Sequence, residues 1–102
     1  MYFDRQEKPI DVSLWSALFE DERYKVVRSS TLLDGKWVST VWLGMAHGFD
    51  RKGRPLIFES MVFSQEGSYN ELACARYATL RQARDGHKRM VEKWLLKTGD
   101  DE

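Results

Sequence analysis

Cysteine is almost missing from this chain. With Cys74 alone, no intramolecular disulfide can form, and the lack of a C-x-x-C pair excludes a thiolate-type structural zinc. A reducing cytoplasm is the expected setting. Proline is nearly as scarce, two in 102 residues, and no Pro/Gly/Ser linker, low-complexity tract or internal repeat divides the chain, so residues 1–102 are expected to form one domain. Charge of one sign is also absent: sixteen basic and sixteen acidic residues cancel, leaving no global field to hold a polyanion by counterion release. Nucleic acid is thereby disfavoured as a partner. No apolar run reaches the roughly 18–20 residues of a membrane span, and "MYFDRQEKPID" lacks the apolar segment of a signal peptide. A membrane partner and export by that route are not expected.

What is present is a 42% hydrophobic, 13% aromatic composition, enough for one packed core. Residues 12 to 21 place Leu14, Trp15, Leu18 and Phe19 on one helical stripe, with Asp11 able to cap the first turn. This predicts a short helix. The β-branched run "YKVVRSSTLL", then Asp34-Gly35, then "KWVSTVWLGM" predicts a β-hairpin closed by a two-residue type I′ turn that pairs Leu33 with Lys36. "LIFESMVF", residues 56 to 63, reads as a third strand with Pro55 at its edge, and "ACARYA" as a weaker fourth. At the end, Thr79 and Gln82 form a T-x-x-Q capping box. Leu80, Ala83, His87, Met90, Val91, Trp94 and Leu95 follow at helical spacing, with Lys93 and Lys97 near the negative end of the dipole and Gly99 as a stop. A helix from about Leu80 to Lys97 is expected.

The fold class is therefore α+β: an antiparallel meander of three to four strands with a short N-terminal helix and a long C-terminal helix on one face. In the predicted register, Tyr24, Val26, Leu32, Trp37, Val41, Leu43 and Met45 meet the helices. Val27, Val38 and Trp42 then fall on the opposite face, where strand three can add Ile57, Met61 and Phe63. Two helices cover one face only, so loops of the same chain, a second copy or another protein must shield the other.

The blocks "VSTVWLGMAHGF", "GRPLIFESMVF", "RYAT" and "GHKRMV" resemble those of a family of small uncharacterised proteins common in bacteriophages and bacterial genomes, over about Tyr2 to Val91. In that family an acidic residue usually stands where this chain has Ala46, and a threonine where it has Ser60. The resemblance implies a phage or mobile-element accessory protein and carries no activity. Proteins of that kind often bind and block a host protein.

Few residues invite chemistry. His47 and His87 are the only histidines, with no short-spaced ligand pair between them. His87 lies on the apolar stripe of its helix and reads as a buried, hydrogen-bonded histidine; the neighbouring Gly86 reads as a close approach of helix to sheet. His47 reads as a loop residue whose ring bonds backbone groups as the chain, turning at Gly44 and Gly48, leaves strand two. Glu59, amid "LIFESMVF", needs an ion pair, with Arg76 or Arg28. Arg51, Lys52 and Arg54 form a basic loop around Gly53. The leading expectation is a non-enzymatic binder without cofactor. It would engage a protein partner or its own copy, with Trp42 as apolar anchor, Glu59 and His47 beside it, and Arg51, Lys52 and Arg54 at the rim. The alternative is a small pocket enzyme or a metal- or ligand-binding protein that uses His47 with Glu59 or Asp50.

Overall fold

The computed structural model describes residues 1–95. A small hairpin of β1 (Tyr2–Phe3) and β2 (Pro9–Ile10) precedes α1 (Val12–Glu20) and the single turn α2 (Glu22–Lys25). Then come β3 (Val26–Thr31), β4 (Trp37–Trp42), β5 (Phe58–Phe63), β6 (Glu71–Tyr77) and α3 (Leu80–Leu95). The last four strands form one antiparallel meander in the order β3-β4-β5-β6. The α+β meander with one helix at each end is thus the fold, and the weaker fourth strand is a full member of the sheet.

Local signals account for the helix starts. The Asp11 side chain accepts from the Leu14 amide at 2.8 Å and begins α1. At α3 the box closes in both directions: Gln82 N–H donates to Thr79 Oγ1 at 3.1 Å, and Gln82 Oε1 accepts from the amides of Ala78 and Thr79. The anticipated Lys97 and Gly99 stop signals lie outside the described residues. Two elements had no counterpart in the sequence reading. Asp21 caps α2 by accepting from Arg23 N–H at 3.0 Å, which turns Tyr24 out of the strand. Asp4 folds the N-terminal turn by accepting from Gln6 and Lys8 amides, and Phe3 N–H donates to Gly44 O at 2.8 Å, tying that hairpin to the end of β4.

The β3–β4 connection corrects the expected register. Leu32 N–H donates to Lys36 O at 2.7 Å and Thr31 faces Trp37, so Leu33, Asp34 and Gly35 form a three-residue loop. In that loop Gly35 alone has positive φ, +94°. This is the pattern of a turn closed by a glycine bulge, where a type I′ turn would need positive φ at Asp34 too. Asp34 Oδ1 accepts from the Lys36 amide and holds the loop. One extra residue exchanges the two faces of β4 relative to β3.

The inner face consequently carries Val38, Thr40 and Trp42 from β4 and Phe58, Ser60 and Val62 from β5, all fully buried. Trp37, Val41 and Met61 lie on the outer face. Trp42 is the largest correction: expected at the surface, it is 0% exposed and sits among Ile57, Phe58, Tyr77 and Ala83. Its indole N–H donates to Phe3 O at 3.0 Å, and its ring meets Tyr24 edge-on with centroids 4.9 Å apart. Leu32, Val38 and Val62 form a second cluster under Met90, Val91 and Trp94 of α3. All three helices and the N-terminal hairpin thus pack on the inner side. Among the described residues no element covers the outer face, and no helix is long and apolar enough to cross a membrane.

Candidate functional site

The outer face is assembled from alternate residues of four strands. Pairing sets Ser29 and Thr31 of β3 beside Ser39 and Trp37 of β4, then Met61 and Phe63 of β5, with Cys74 of β6 beyond Met61. Trp37 stacks on Phe63 with ring centroids 5.3 Å apart and planes inclined by 28°. Its indole N–H donates to Ser29 Oγ at 2.7 Å, which fixes the ring flat against the strands. Val41 and Met61 extend this apolar area, so the half-buried centre of the face is aromatic and aliphatic, with hydroxyls toward β3.

Glu59 is the one carboxylate on this face's β5. It faces Arg76 across the strand pair, and its Oε2 accepts from Arg76 Nε at 3.0 Å and from Cys74 Sγ at 3.6 Å. Of the two partners expected from the sequence, Arg76 or Arg28, Arg76 is the one that forms the ion pair. The hydrogen bond to Glu59 pushes the Arg76 guanidinium pKa up. Burial, then the Glu59 charge, pushes the Cys74 thiol up. A protonated thiol is a poor nucleophile, so Cys74 is an exposed but unactivated cysteine.

The basic loop is a folded tip with less free charge than its composition implies. Asp50 Oδ1 accepts from the Lys52 and Arg54 amides, each at 2.9 Å, and Oδ2 takes Arg54 Nε at 2.7 Å. The amide and guanidinium of Arg54 hold the Asp50 carboxyl below the usual range. Only Arg51 and Lys52 remain as exposed cations there, beside an exposed Phe49. His47 is exposed, and its backbone N–H donates to Leu56 O at 2.9 Å. The anticipated ring bonds are not formed: the His47 imidazole has no hydrogen-bond or ion-pair partner among the described residues. Glu59 and Asp50 are each committed to an arginine. No group of three or more His, Cys, Asp or Glu among the described residues could hold a metal ion. Among the described residues no hydrogen bond or ion pair joins the His47 side chain to Glu59 or Asp50.

One polar cluster could not be anticipated from spacing. His87, 2% exposed, sits between Ser30 Oγ at 2.8 Å on Nε2 and Thr40 Oγ1 at 2.7 Å on Nδ1; Thr40 Oγ1 in turn lies 2.5 Å from Ser60 Oγ. A hydroxyl–imidazole chain is the start of a nucleophilic site when it is open to substrate and oriented by a carboxylate. Here no carboxylate joins it among the described residues, and Thr40 and Ser60 are 0% exposed. It serves as the polar joint between α3 and the sheet. The sequence indicated a satisfied buried histidine, while its partners depend on the register of three strands.

Burial first, and then the Arg28 charge, lowers the His87 pKa. The unfolded imidazole titrates near 6.5, so below about pH 6.5 the unfolded chain binds a proton that the native state refuses. Stability from this group is complete above that pH. It falls as pH drops, by at most about 1.4 kcal/mol per unit, and levels off below the native pKa. Urea unfolding from about pH 8 to about pH 5 should show this slope in wild type and lose it in His87→Gln; parallel curves would show that His87 does not titrate on unfolding.

Comparison with protein-family models, curated proteins and solved structures finds no match for this chain, so the functional reading rests on the geometry of these surfaces.

Proposed function

We propose that the protein is a small non-enzymatic binding module that recognises another protein, or a second copy of itself, through the outer face of its sheet. The observation that carries this reading is the one-sided cover: every helix packs on the inner face, while Trp37, Phe63, Val41 and Met61 lie together on the other. Contiguous apolar area of this kind on a soluble domain marks an interaction surface. Tryptophan is among the residue types enriched at the energetic centre of such surfaces. The anchor role that the sequence suggested for Trp42 passes to Trp37. Glu59 with Arg76 supplies a polar edge that can fix a partner's orientation. An accessory role in a phage or mobile element, exercised in the host cytoplasm by occluding a host protein, is the biological setting that the family resemblance suggests.

Surface substitutions usually change stability by about 0.5 kcal/mol, and at half-buried Trp37 the lost stack on Phe63 adds about 0.5–1.5 kcal/mol. Trp37→Ser with Met61→Ser should therefore leave the protein folded, with its thermal transition lowered by less than a core truncation lowers it. The same pair should weaken association by at least about tenfold. Light scattering over a concentration series reads self-association, and titration with a partner captured by the wild type reads the other case. Association that survives both changes would remove this face from consideration.

A further inference from the structure

β6 is an edge strand of the meander, so one row of its backbone N–H and C=O groups faces away from β5, with no strand beyond it among the described residues. Its inner side chains are small: Ala73 pairs with Val62 and Ala75 with Ser60. α3 runs back along β6, with Gly86 against the Tyr77 ring at one end and Met90 packed near Ala73 toward the other. Because the alanines do not fill the space below the helix, an open groove of about 390 Å³ remains between strand and helix. Ala73, Ala75 and Tyr77 line its sheet side; Met90, Arg89 and Lys93 line its helix side.

The groove's charge is one-sided. Arg89 and Lys93 are both exposed, and neither forms an ion pair among the described residues. They are four residues apart on α3, which sets them about 6 Å apart along the helix axis. Alternate residues of an extended strand are separated by about 6.8 Å and point to the same side. A strand laid along β6 with two acidic residues on its groove side would therefore meet both cations in step. A second copy pairing β6 with β6 would instead bring together the Arg89 and Lys93 of both chains, the charged residues that line the groove.

We propose that the β6 edge and the Arg89–Lys93 groove accept an extended acidic segment of a partner protein, which joins the sheet as a fifth strand. Backbone hydrogen bonds to β6 supply affinity, and carboxylates two residues apart on Arg89 and Lys93 supply selection. The proposal is independent of the outer-face reading, because it uses the edge and the helix side of the sheet.

The probe is a blocked, fluorescent Thr-Glu-Val-Glu-Val-Glu-Thr peptide, with its Gln-for-Glu counterpart, followed by anisotropy. The acidic peptide should bind at least about tenfold more tightly than the Gln peptide, and its affinity should fall as salt rises. Arg89→Ser with Lys93→Ser should remove most of that difference, whereas Trp37→Ser should leave it unchanged. Amide exchange should slow at alternate residues of β6 when the peptide binds. Absence of binding, equal affinity for both peptides, or binding that persists without Arg89 and Lys93 would overturn the proposal. So would a dimer whose β6 amides are protected without peptide, since the occupant would then be a second copy. Loss of binding in Trp37→Ser alone would move the peptide site to the outer face.

Discussion

Trp42→Ala is expected to unfold the protein or bring it close to unfolding. The indole is fully buried, touches both α1 and α2 through Phe19 and Tyr24, and satisfies the Phe3 carbonyl. Large-to-small changes at such positions cost about 3–5 kcal/mol, because the lost transfer energy is joined by the energy of the cavity left behind. Removing the indole N–H also withdraws the Phe3 carbonyl's indole partner. Against a total stability of roughly 5–15 kcal/mol, a loss of about 4 kcal/mol is a large fraction. In a domain of this size each kcal/mol is worth about 4–8 °C, so the thermal midpoint should fall by about 20 °C. Circular dichroism melting checks this directly. A variant that melts like wild type but fails to associate would put Trp42 back at a surface and contradict the register found here. Comparison with Trp37→Ser separates the two faces, since the same residue type should cost several times less one strand position before Val38.

The exchange of Trp42 for Trp37 shows where sequence reasoning ends for this fold. Features fixed within one turn or one strand pair are legible: Asp11 and the Thr79–Gln82 box start helices where they are expected to. Glu59 finds Arg76, and Gly86 meets the sheet. Asp-Gly, however, suits both a two-residue turn and a three-residue loop closed by a glycine bulge. β4 tolerates either choice locally, because it carries apolar residues on both sides, Trp37 and Val41 on one and Val38 and Trp42 on the other. The arbiter is tertiary: Val38, Thr40 and Trp42 fit beneath α3 and the N-terminal hairpin, and that hairpin has too few residues to announce itself by periodicity. The same uncertainty hid the partners of His87, which lie 57 and 47 residues away at Ser30 and Thr40. The outer-face site was legible as a surplus of apolar residues that included Met61 and Phe63, while the β4 residues beside them, Trp37 and Val41, were not.

Gly86→Ala tests the helix–sheet contact that both the polar joint and the β6 groove require. In an unconstrained helix the change would stabilise by about 1 kcal/mol. Here an added Cβ would lie 2.2 Å from Tyr77 Cζ and 2.3 Å from its Cε1 and Oη. Tyr77 is 9% exposed and packed in the cluster of Trp42, Ile57, Phe58 and Ala83; its ring also borders the β6–α3 groove, and turning into that space would give up those core contacts. Overpacking of this kind costs about 1–3 kcal/mol. If α3 moves outward instead, the His87 bonds to Ser30 and Thr40 lengthen and leave buried hydroxyls short of a partner, at about 1–3 kcal/mol for each group left unsatisfied. The expected net result is a loss of about 2–3 kcal/mol in urea unfolding, opposite in sign to the propensity effect. Tyr77→Ala removes the clashing ring, so the second step, Gly86→Ala in that background, should turn neutral or stabilising. The cycle should then report a coupling of about 2 kcal/mol or more. Equal effects of Gly86→Ala in both backgrounds would mean that the helix does not rest on the ring, and that the groove between β6 and α3 is wider than its side chains define.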